Sequence, residues 1–111
     1  MSKVQVTFRK IPHSDAVEAY VLEKASKLDR VSDRITACHV AIESPHRHHQ
    51  TGREYRVRVD LIVPGTELVA SHAPEDSTED VYAAVDRAFD VAVRQLKEHV
   101  QRQRGEVKAH A

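Results

Sequence analysis

Tyr55-Arg56-Val57-Arg58-Val59-Asp60-Leu61-Ile62-Val63-Pro64-Gly65 carries the clearest structural signal in the chain. Tyr55, Val57, Val59, Leu61 and Val63 alternate with Arg56, Arg58 and Asp60, the period of a strand with one apolar and one polar face. Pro64-Gly65 marks a turn, and Glu67 to His72 reads as the returning strand of a hairpin. A sheet that is apolar on one face must be covered there, so the fold needs a second layer.

Two more strands precede this one. Around Ile35 to Glu43, Cys38, Val40 and Ile42 alternate with His39 and Ala41. Over residues 3–10, Val4, Val6 and Phe8 alternate with Gln5, Thr7 and Arg9. A polar loop, Ser44 to Arg53, separates the second and third strands. Between the first two strands, Ser14 is a natural helix N-cap, with Asp15 and Glu18 in the first turn. Val17, Val21 and Leu28 share one face of that helix, which is expected to end near Arg30 to Ser32. Lys24 falls beside the apolar stripe, where its ammonium is expected to reach out to solvent.

Downstream, Val81, Val85, Ala88, Phe89, Ala92 and Leu96 fall on one stripe of a second helix. It is expected to run from about Thr78 to Gln103, with Ser77 or Thr78 as N-cap and Gly105 as stop signal. The order is β-α-β-β-β-α. A right-handed first crossover makes strands one and two parallel. The expected fold is α+β: a two-layer sandwich of a four-stranded mixed sheet with both helices on one face. Residues 1–104 make one domain, and residues 105–111 a basic, flexible tail.

Bulk properties narrow the function. Of 111 residues, 17 are basic and 17 acidic, so the net charge is zero and a uniformly basic surface is excluded. The distribution is uneven, however. From Glu75 to Asp90 six acids stand against Arg87 alone, whereas from Arg94 onward five bases outnumber two acids. Complementarity to the helix macrodipole accounts for part of this sorting. A phosphate-binding surface would use the same bases. On the first helix Lys24, Lys27 and Arg30 form an inclined row, which is also the pattern of an ordinary solvated face. The lone cysteine, Cys38, cannot form an intrachain disulfide and suits a reducing compartment. No apolar run is long enough to cross a membrane.

Asp80-Val81-Tyr82-Ala83-Ala84-Val85-Asp86, followed by Arg94-Gln95-Leu96, resembles the second helix of the ribosome hibernation-promoting factor family, which includes the ribosome-associated inhibitor A proteins. Lys24, Lys27-Leu28-Asp29, Asp33-Arg34-Ile35 and Leu68-Val69-Ala70-Ser71 resemble that family's first helix, its entry to the second strand and its fourth strand. The resemblance implies a fold related to double-stranded RNA-binding domains. It further implies binding in the decoding channel of the small ribosomal subunit, where the protein blocks messenger and transfer RNA. The positions it assigns to ribosomal RNA are Lys24, Lys27, Arg30, Arg94, Lys97 and Arg102. Further contacts are expected from the loop, at Arg47, His48, His49 and Arg53. Glu98 and Val100 interrupt the lysine cluster that the family carries after Arg-Gln-Leu.

The expected partners are the small subunit and its rRNA, with no membrane and no small-molecule substrate. The expected state is a cytoplasmic monomer when free, with no cofactor and no metal. No enzyme motif is present: there is no Gly-rich phosphate loop and no nucleophile elbow. The histidines, clustered at His46, His48 and His49, leave a metal-binding module as the alternative, although their spacing matches no standard zinc motif. A general protein-interaction module using the free sheet face is the other.

Overall fold

The computed structural model describes residues 3–44, 47–48, 52–53, 55–71 and 80–109. Its elements run β1 (Val4–Arg9), α1 (Asp15–Leu28), β2 (Ala37–Glu43), β3 (Arg47–His48), β4 (Gly52–Arg53), β5 (Arg56–Val63), β6 (Thr66–Ser71) and α2 (Val81–Ala109). Four strands form one mixed sheet in the order β1-β2-β5-β6. β1 and β2 are parallel, while β2–β5 and β5–β6 are antiparallel. This is the expected fold.

Register explains why the sheet has a single apolar face. Val6, Val40, Val59 and Ala70 lie in one row across the four strands, and Val4, Cys38, Leu61 and Leu68 lie in the next. Val40, Val59, Leu61 and Ala70 are buried. Val17, Val21, Ala25 and Leu28 of α1 and Val85, Ala88, Phe89, Ala92 and Leu96 of α2 are buried with them in the same core. Removing each large apolar side chain from water contributes roughly 1.5–3 kcal/mol. The opposite face is polar and charge-balanced: Arg9, Glu43 and Arg56 form one row, and Arg58 pairs with Asp60 at 2.8 Å.

Several boundaries differ from expectation. α1 starts as expected, with the Ser14 side chain accepting from the Val17 N–H, but it ends at Leu28. There the N–H groups of Val31 and Ser32 both donate to the Leu28 carbonyl and close the end. Asp80 caps α2 by accepting from the N–H groups of Tyr82 and Ala83; Ser77 and Thr78 lie outside the described residues. At its far end α2 passes Gly105 and continues to Ala109, so residues 105–109 of the expected tail are helical. A glycine costs a helix interior only about 1 kcal/mol relative to alanine, and Gly105 does not take the left-handed conformation that would end the helix. Within the Ser44 to Arg53 segment, Arg47 pairs with Arg53 and His48 with Gly52 in a two-stranded ribbon. No alternating apolar pattern marks those positions, so backbone pairing there has no signature in the sequence. His46 and His49 lie outside the described residues.

The β5–β6 turn depends on Gly65, whose φ is +85° with open space around the place of a side chain. Gly65→Ala should therefore lower unfolding free energy by about 1–2 kcal/mol through backbone strain alone. Chemical denaturation measures this, and an unchanged midpoint would show that the turn relaxes freely.

Candidate nucleic-acid interface

The two helices lie side by side and run the same way. Tyr20 meets Tyr82 edge to face at 5.0 Å, and Lys24 reaches Asp86. Further along, Val31, just past α1, and Val100 of α2 line one cleft. Both N-termini therefore lie at one end of the molecule and both C-termini at the other. Parallel macrodipoles repel, and charges of opposite sign at each end offset that. Asp15, Glu18 and Asp80 sit at the N-terminal end, and Lys27 in the last turn of α1.

Where the helices touch, Asp86 receives two donors. The Tyr20 hydroxyl donates at 2.5 Å and the Lys24 ammonium at 3.0 Å. That ammonium also lies 5.6 Å from the centre of the Tyr20 ring. Partial burial pushes the Asp86 carboxyl upward, but the bonds from Tyr20 and Lys24 outweigh it and hold the group below its usual range. The bond to Asp86 raises Lys24 above the ordinary lysine value, against partial desolvation. The same carboxylate raises the Tyr20 phenol, chiefly through its hydrogen bond. Lys24 thus does not extend into solvent as expected: a carboxylate across the helix pair takes its ammonium.

The other five candidate cations stand differently. Lys27, Arg30, Arg94, Lys97 and Arg102 form no ion pair with another described residue. At about 100° per residue, Lys97 projects from the same flank of α2 as Asp86, toward α1, and Arg94 projects from the crest. On α1, Lys27 lies on the flank of Lys24, whereas Arg30 stands past the end of that helix, at the cleft beyond it. Arg102 falls on the opposite flank of α2, about 140° from Lys97. By this placement Lys24, Lys27 and Lys97 share the helix–helix seam, Arg94 stands on the adjoining crest of α2, Arg30 lies at the seam's margin and Arg102 faces the other flank. Side chains of the loop candidates Arg47, His48, His49 and Arg53 lie outside what is described.

Sequence reasoning missed Tyr20 and Asp86 as a pair. Asp86 looked like one of several acids complementing a dipole, and only its position opposite Tyr20 and Lys24 shows its work. Arg34 and Arg104 were also missed; both border the cleft beyond the α1 C-terminus. Cys38 is fully buried, and burial, with a smaller effect of the Asp60 charge, pushes its thiol up to about 12, so it is no nucleophile at neutral pH. Among the described residues no group of three His, Cys, Asp or Glu side chains is arranged to hold a metal ion. Nor is any helix among them long and apolar enough to cross a membrane.

Residues 4–104 match the family model described as Sigma 54 modulation protein / S30EA ribosomal protein. The chain belongs to this family. A ribosome hibernation promotion factor from Deinococcus radiodurans is 37% identical over 97 residues, which are 87% of this chain and 48% of that protein. The chain thus spans about half the length of that relative. The ribosome hibernation promoting factor of Azotobacter vinelandii is 35% identical over 101 residues, covering 91% of this chain and 85% of that one. Among solved structures, the Protein Y N-terminal domain of Thermus thermophilus superposes with a TM-score of 0.72 at 25% identity, over 89% of this chain and 99% of that domain. A ribosomal subunit interface protein from Coxiella burnetii shares the fold, with a TM-score of 0.69 at 20% identity over 89% of this chain and 98% of that one. The family read from Asp80 to Leu96 is confirmed.

Asp86→Asn should destabilise the fold by about 1 kcal/mol at neutral pH, a small figure because the carboxylate is 42% exposed and screened. Since the folded state lowers its pKa, this contribution is present above the ordinary value of 3.8 and is lost as pH falls through the folded value. The stability difference between wild type and Asp86→Asn should accordingly be flat from pH 5 to 8 and shrink below pH 4. A difference that grows on acidification would contradict the assignment.

Proposed function

We propose that this protein is a ribosome hibernation factor that binds the small ribosomal subunit through the basic seam of α1 and α2. It occupies the decoding channel and excludes messenger and transfer RNA. Family membership supports the ribosome-associated hibernation role, and its relatives carry that name. The observation that carries the interface is the set Lys27 and Lys97 on the facing flanks of two parallel helices and Arg94 on the adjoining crest, none of them in an ion pair with another described residue.

The physics is that of a rigid polycation docking on fixed phosphates. Each lysine or arginine that meets a phosphate releases condensed counterions, which gives affinity with strong salt dependence and little base specificity. A preformed ribosomal surface needs shape matching more than base readout. Lys24 contributes less charge than its neighbours, because Asp86 already offsets it; its role is to hold the seam in place. Arg30 adds a contact at the margin, and Arg102 serves a separate RNA segment on the far flank. Arg47, His48, His49 and Arg53 of the loop add further contacts to rRNA. Blocking a channel needs no reacting group, so no catalysis, cofactor or metal enters this reading. A ribosomal partner places the protein in the cytoplasm, acting as a monomer until it docks.

Co-sedimentation with purified small subunits across a salt series tests this. Wild type should bind at low salt and dissociate steeply as salt rises. Lys27/Arg94/Lys97→Glu should bind at least tenfold more weakly and reduce the slope of log affinity against log salt by about 2–3, with unfolding unchanged. Equal binding by the triple variant would move the contact off the seam.

A further inference from the structure

A cleft of 680 Å³ opens where the α1–β2 connection, the β5–β6 turn and the far part of α2 meet. Val31, Val63, Pro64 and Val100 give it an apolar floor, and Arg30, Arg34 and Arg104 stand on its rim. It lies at the basic end of the helix seam, just past the last turn of α1. We infer that this cleft takes one unstacked nucleotide of the bound RNA, with its base on the apolar floor and its phosphate at the rim arginines. The inference rests on the proposed RNA-binding role and adds a pocket to the open seam.

Three features select this occupant. The volume falls within the range of sites that enclose a small organic molecule, about 300–1,000 Å³, and is far too small for a duplex. The rim carries three guanidinium groups, which grip phosphates and stack on base faces. The remaining polar lining, from Asp29, Ser32, Asp33, His99 and Gln103, supplies acceptors and donors for base edges and for a ribose 2′-hydroxyl.

Electrostatics also sets the orientation. The α1 C-terminus faces this region, and its partial negative charge repels a phosphate from the interior. A neutral base meets no such penalty. The base therefore enters and the phosphate stays outside, within reach of Arg30, Arg34 or Arg104. Recognition of an unpaired nucleotide in this way would fix the register of the protein along its RNA, which the seam, as a row of point charges, cannot do.

The test uses the full chain. Titration of 15N-labelled protein with AMP should shift the amide signals of Val31–Arg34 and Val100–Arg104, and inorganic phosphate or adenosine alone should shift them less at equal concentration. Val100→Trp fills the floor, and Gln103→Ala removes a polar contact with less risk to the fold. Both should weaken small-subunit binding, Val100→Trp by about tenfold, with the salt slope retained. AMP that shifts these signals no more than phosphate does would overturn the inference, as would wild-type affinity in both variants. If Val100→Trp lost affinity for intact subunits but bound protein-free rRNA like wild type, the cleft would hold a ribosomal protein segment and the nucleotide assignment would fall. Failure of the wild type to sediment with subunits is a separate readout: it would overturn the parent reading and the RNA assignment together.

Discussion

Two helices that must cover the same face of one sheet have to share it. That constraint follows from strict alternation in β5, where every second residue is buried against the helices and the others face out. With four strands and a single apolar side, α1 and α2 have no alternative surface. They lie parallel, and their dipoles add at each end of the molecule. The sorting of acids toward the N-terminal turns and bases toward the C-terminal turns offsets that repulsion, and it also concentrates cations at one end. Packing and charge sorting are thus two consequences of one arrangement.

The Tyr20–Lys24–Asp86 cluster is minor in energy and decisive in geometry. Burial of residues such as Leu61, Leu96 and Val85 supplies roughly 1.5–3 kcal/mol each, against about 1 kcal/mol or less for a half-exposed ion pair. Hydrophobic burial, however, is non-directional and would tolerate a helix shifted by part of a turn. Hydrogen bonds at 2.5 and 3.0 Å would not. The cluster therefore sets which residues of α1 stand beside which residues of α2, and with that the spacing of Lys27 and Lys97. A lysine expected to face solvent is instead the internal tie that aligns its neighbours.

α2 is much longer than the sheet beneath it. Its 29 residues span about 44 Å at 1.5 Å each, whereas an eight-residue strand such as β5 spans about 27 Å. The excess carries Arg102 and Arg104 past the sheet, and the cleft beside the β5–β6 turn forms where the helix leaves its support. Continuation through Gly105 matters for this reason: a helix ending at Gln103 would have left Arg104 outside the last turn.

Alternation in the strands, the apolar stripes of both helices and the turn at Pro64-Gly65 are local periodic signals, and they determined the element order, the sheet with one buried face and the two-layer fold. The Asp80 to Leu96 motif determined the family. What these signals lacked was any measure of distance between residues far apart in the chain. Tyr20 and Asp86 are 66 positions apart, and no period links them. Which cations enter an ion pair, and that Arg30, Arg34 and Arg104 border one cleft, were decided by tertiary structure. Charge along a sequence is a list of signs, and only packing converts it into an electrostatic surface.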